Sequence, residues 1–74
     1  MNNASMKPRA IYSALKAGSI TEIKIDGVWY PVDDSSLSLI GSRNWTIRAA
    51  GHDAINTGGG VLARCSGNTA FEVR

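Results

Sequence analysis

Apolar residues recur at helical spacing in one stretch of the chain and at every second position in several others. In residues 9–17, Ile11, Ala14 and Leu15 share one helical face among strong helix formers. Pro8 stands where a first helical turn has no use for an N–H, and Gly18 follows as a left-handed stop. A helix of about ten residues is marginal in isolation, so this face must dock on something.

Residues 20–26 alternate, with Thr21, Ile23 and Ile25 on one side and Glu22, Lys24 and Asp26 on the other. Asp26-Gly27 is a strong two-residue hairpin signal, because both positions must take positive φ. Residues 28–32 then return, which pairs Ile25 with Val28, Ile23 with Tyr30 and Thr21 with Val32. One face of this hairpin is apolar throughout. The other sets Lys24 against Trp29, a cation–π arrangement. Pro31 cannot donate to a ladder, so its nitrogen should face away from a partner strand.

Asp33-Asp34-Ser35-Ser36 reads as a turn or cap cluster, and Leu37-Ser38-Leu39-Ile40 as a short strand. In residues 44–50, Trp45, Ile47 and Ala49 point one way and Asn44, Thr46 and Arg48 the other, which assigns Trp45 to the core. Thr57-Gly58-Gly59-Gly60 is a loop. Residues 61–74 read as a second hairpin around Ser66-Gly67-Asn68. It places Val61, Ala63, Cys65, Thr69, Phe71 and Val73 on one face, and Leu62, Arg64, Ala70 and Glu72 on the other.

The pattern predicts an α+β fold: one short N-terminal helix packed on a small antiparallel sheet of four to five strands. A partly open SH3-like barrel fits the same pattern. Residues 1–7 are expected to be a disordered tail, and residues 8–74 a single small domain. Strand edges near Pro31 and at the C-terminal strand are candidates for pairing across a two-fold axis in a homodimer.

Composition narrows the class. A chain of 74 residues buries only about 60% of its unfolded surface, so its stability margin is thin. With 43% hydrophobic and 19% charged residues, it is globular rather than disordered in character. The net charge is +2, and the eight basic residues are spread from Lys7 to Arg74. That lacks the concentrated basic element that marks a nucleic-acid footprint. Cys65 is the one cysteine and has no internal disulfide partner, which suits a reducing, cytoplasmic setting. The N-terminus lacks the apolar core of a signal peptide, and no apolar run approaches the ~20 residues needed to cross a bilayer, so no membrane association is expected.

The candidate chemistry is sparse. Cys65, His52 and Asp53 could form a thiol nucleophile with a base only if the fold joined them. Cys65, however, takes an inward strand position, where cysteine acts as a small hydrophobe. No catalytic residues are expected and the chain is read as a non-enzyme. One His and one Cys fall short of a structural zinc site, so no metal and no cofactor are expected. The Thr57, Gly58, Gly59 and Gly60 loop offers backbone N–H groups of the kind that cradle anions, but without the Walker pattern. It supports an alternative reading as a site for a nucleotide or small phosphorylated ligand.

The remaining set is aromatic and basic: Trp29, Lys24, Arg43, Arg48 and Arg64. The hairpin register turns Trp29 away from the apolar face. Tryptophan and arginine are the commonest interface anchors, so the set reads as a partner-binding surface unless the helix covers it and makes Trp29 core. In its length and its lack of recognised motifs, the chain is similar to the short proteins of bacteriophages and mobile elements. Many of those bind and block a host factor such as a defence complex, and the likeness assigns no residue a role. The expected function is a small protein–protein interaction module or inhibitor of a host factor. A nucleic-acid-binding small β-barrel, with bases stacked on the same basic face, is the alternative.

Overall fold

The computed structural model describes residues 4–53, 55 and 59–74. Helix α1 spans Pro8–Ala17 and begins with proline in its first turn. It ends where Gly18 enters the left-handed region at φ 72°. There the N–H groups of Gly18 and Ser19 donate to the carbonyls of Leu15 and Ala14, satisfying the last turn. Ile11 and Leu15 are buried on the inner face.

Among the described residues, seven strands divide into two antiparallel sheets. Ala4–Met6 (β1), Glu22–Ile25 (β2), Val28–Pro31 (β3) and Phe71–Val73 (β7) form sheet A in the order β1-β7-β2-β3. Leu37–Ile40 (β4), Asn44–Arg48 (β5) and Val61–Ser66 (β6) form sheet B in the order β4-β5-β6. One core joins both sheets to the helix. Ile11 and Leu15 share one buried cluster with Ile23, Ile25 and Val73 from sheet A and Leu37, Trp45 and Ile47 from sheet B. The α+β class, the helix and its stop thus follow the sequence pattern.

The first hairpin has the expected register. Asp26 and Gly27 both take positive φ (51° and 81°), and Ile25 faces Val28, Lys24 faces Trp29 and Ile23 faces Tyr30. The Val32 N–H donates to the Thr21 carbonyl at 2.9 Å, which carries the pairing one step further.

Four expectations are revised. In place of one sheet of four to five strands or a partly open barrel, the described residues form seven strands in two separate sheets. The tail expected over residues 1–7 is structured at Ala4–Met6, which pairs with β7 so that Met6 faces Phe71 and Ala4 faces Val73.

The C-terminal hairpin does not form. β6 pairs with β5, and β7 pairs with β1 and β2. Side-chain size accounts for this exchange. Cys65 and Ala63 are small and sit opposite the large Trp45 and Ile47, whereas Phe71 and Val73 match Met6 and Ile23. The inward faces of Ala63, Cys65, Phe71 and Val73 are kept. A register shift at Ile47/Arg48 inverts the start of β6, so Leu62 packs on the core and Val61 is exposed.

Finally, β7 is an interior strand. β3 remains the edge strand of sheet A, and at its end the Pro31 carbonyl accepts the Ala50 N–H at 2.9 Å.

Candidate partner-binding face

The tight turn at Asp26-Gly27 fixes which residues of sheet A look outward. Ile23 and Ile25 enter the core, so Glu22, Lys24 and Trp29 lie on the opposite face. The helix does not cover that face. It packs on the inner side, where the Tyr12 and Trp45 rings meet at 5.8 Å between centroids. Trp29 is instead half-buried beneath the side chain of Arg74, the residue after β7. Arg74 places Cζ 4.0 Å from the centroid of the Trp29 ring, and Lys24 places Nζ 5.9 Å from it.

Arg74 is held from two directions. Its Nε donates to Glu22 Oε1 at 2.7 Å. Its backbone is bonded to Glu22 both ways: the Arg74 N–H donates to the Glu22 carbonyl, and the Glu22 N–H to the Arg74 carbonyl. Each surface contact contributes modestly, about 0.5–1 kcal/mol for a cation over an exposed ring and less for a solvated ion pair. Their shared effect is to fix one arrangement of indole, guanidinium and carboxylate. Beside Lys24, an open depression of about 550 Å³ is lined by Asp26, Gly27, Phe71, Glu72 and Ser5.

The structure brings Trp29 and Lys24 together but places the other three candidates elsewhere. Arg43 lies in the turn between β4 and β5, and Arg64 stands exposed on β6 opposite Thr46. Arg48 donates from Nε to the Gly59 carbonyl at 3.2 Å and so holds the loop after β5. Sequence reasoning missed Arg74. Its side is legible from Glu72, two residues earlier on the same face, but its neighbour is not, because that depends on β7 pairing with β2.

Of the glycine loop, Thr57 and Gly58 lie outside the described residues. The Gly59 carbonyl receives Arg48 and the Gly60 carbonyl receives the Ala49 N–H at 2.9 Å. Gly60 sits at φ 73° against the His52 ring, leaving no room for a Cβ. Among the described residues, His52 Nδ1 is buried there without a hydrogen-bond partner. Cys65 stands on β6 opposite Trp45, and burial pushes its thiol above the ordinary range. Among the described residues, no three His, Cys, Asp or Glu side chains cluster as metal ligands. No helix there is long and apolar enough to cross a membrane.

No family model matches the chain, and neither does a curated protein or a solved structure.

Proposed function

We propose that the chain is a protein-binding module without catalysis of its own, which docks a partner on the outer face of sheet A with Trp29 as anchor. It acts by occupancy, as an inhibitor of a host factor would. The observation that supports this reading is Trp29 itself. A large indole lies on the face away from the core, clamped by Arg74 and Lys24. Such a ring, half-shielded and already ordered, loses little further entropy on binding and offers a large area to bury.

Charge favours a protein partner over nucleic acid. Glu22, Asp26 and Glu72 share the neighbourhood with Lys24 and Arg74. A phosphate backbone would meet those carboxylates at close range, while a protein of mixed charge can pair with both signs.

Salt dependence tests the choice. Complexes formed on immobilised protein from a nuclease-treated lysate should survive a rise from 50 to about 300 mM salt with only a small loss. Binding that vanishes with nuclease, or falls steeply with salt, would instead favour a nucleic-acid ligand.

A further inference from the structure

A cavity in the other sheet is independent of the Trp29 face. At one end of sheet B, the cavity of about 560 Å³ is bounded by Arg9 from α1, by Ser42, Arg43 and Asn44 around the β4–β5 turn, and by Ser66 at the end of β6 and Asn68 beyond it. The Trp45 indole and Gly67 complete its walls, and among the described residues no carboxylate lines it. Arg9 is held in place with its Cζ 5.6 Å from the Trp45 ring centroid. The two turns are fastened to each other by the Gly67 N–H, which donates to the Arg43 carbonyl at 2.8 Å. Among the described residues, neither Arg9 nor Arg43 forms an ion pair. Two guanidinium groups thus border one cavity with nothing of opposite sign between them. That raises the local positive potential within the cavity.

We propose that this cavity binds a small phosphate-bearing ligand. The planar fork of arginine matches phosphate oxygens in pairs, and the hydroxyl and amide groups of Ser42, Asn44, Ser66 and Asn68 supply further donors around a tetrahedral anion. The volume falls in the range of small-ligand sites and exceeds what a bare oxyanion fills. An adjoining cavity of about 580 Å³ shares Asn44, Trp45 and Ser66 as walls and adds Ile40 and Cys65. Its apolar lining suits an organic group carried by the same phosphate.

Gly67 provides a steric test. Its backbone is outside the left-handed region, and a Cβ there would lie 3.6 Å from the Arg43 carbonyl and from Trp45 Nε1, an ordinary contact. A longer side chain at this position therefore occupies the cavity without straining the turn.

The experiment is a titration of ¹⁵N-labelled protein, at constant ionic strength, with inorganic pyrophosphate and separately with adenosine 5′-monophosphate. Saturable shifts are expected at the amides of Arg43, Asn44, Gly67 and Asn68 and at the Trp45 indole N–H. Binding should weaken about tenfold or more in Arg43→Ala, through the lost charged hydrogen bonds. Gly67→Leu should weaken it comparably by filling the space, which keeps the test valid if the arginine variant fails to fold. Tighter binding of the nucleotide than of pyrophosphate would assign the adjoining cavity to the organic group. Equal binding would assign recognition to phosphate alone. Shifts that do not saturate, or that persist unchanged in both variants, would overturn the proposal.

Discussion

The carboxylate of Asp33 reaches across the molecule to accept the Gly51 N–H at 2.8 Å on Oδ2. Asp33 follows β3 at the edge of sheet A and Gly51 follows β5, the central strand of sheet B, so one side chain fastens the segments leaving both sheets. Its Oδ1 also takes the Ser35 N–H at 3.0 Å and the Ser35 hydroxyl at 2.6 Å. The buried Ser36 hydroxyl closes the turn by accepting the Asp33 N–H at 2.9 Å.

These donors stabilise the ionised form, led by the Ser35 hydroxyl and the Gly51 N–H, and hold the Asp33 carboxyl below its usual value of 3.8. A depressed carboxylate contributes stability that is fully present above the unfolded value and lost as pH falls through the folded one. Asp33→Asn should therefore cost about 1 kcal/mol at neutral pH. The gap to the parent should stay constant down to about pH 5 and narrow below pH 4. Urea unfolding of both proteins at stepped pH measures it, and a gap that ignores pH would refute the role of the charge.

Gly60 and Gly27 have similar backbone angles, φ 73° and 81°, but different surroundings. A Cβ at Gly27 meets open space, whereas one at Gly60 overlaps the His52 ring. Gly27→Ala should cost about 1 kcal/mol from the left-handed conformation alone, and Gly60→Ala clearly more. Combining Gly60→Ala with His52→Ala should recover the excess in a double-mutant cycle. Equal costs for the two single alanine variants would show that the His52 contact is not the reason for glycine.

Cys65 is half-buried on the inner side of β6, and burial raises its thiol. Alkylation by iodoacetamide at pH 8 should be several-fold slower in the folded protein than in urea, with its pH midpoint displaced upward. A folded-state rate equal to the unfolded one would contradict the packing of Cys65 against the core.

The helix and first hairpin were legible because their signals are local. Pro8, Gly18 and Asp26-Gly27 each dictate backbone angles within a few residues, and one apolar stripe allowed one register. The partner of β6 was not legible. Alternation tells which face of a strand is buried and carries no record of which neighbour it hydrogen-bonds. Ala63, Cys65, Phe71 and Val73 therefore went to the correct face in the wrong pairing. The same gap hid Arg74, whose place over Trp29 exists only because Val73 pairs with Ile23. It also grouped Arg43, Arg48 and Arg64 with Trp29, although they belong to the other sheet and its loops.

The two tryptophans should separate cleanly. Trp45 is 4% exposed and packs against Tyr12 in the shared core. Trp45→Ala should cost about 3–5 kcal/mol, enough to unfold much of a domain this small at 37 °C. Thermal melts of the alanine variants at both positions would show it, and similar losses would mean that both rings are structural.

The central claim is that the fold can spare Trp29 and a protein partner cannot. The most direct test is the yield of nuclease-resistant partner retained by the parent and by Trp29→Ala, with both melting curves recorded on the same samples. The expected result is a melting temperature within a few degrees of the parent and a loss of most retained partner. Undiminished retention by the variant, or a variant that no longer folds, would contradict it.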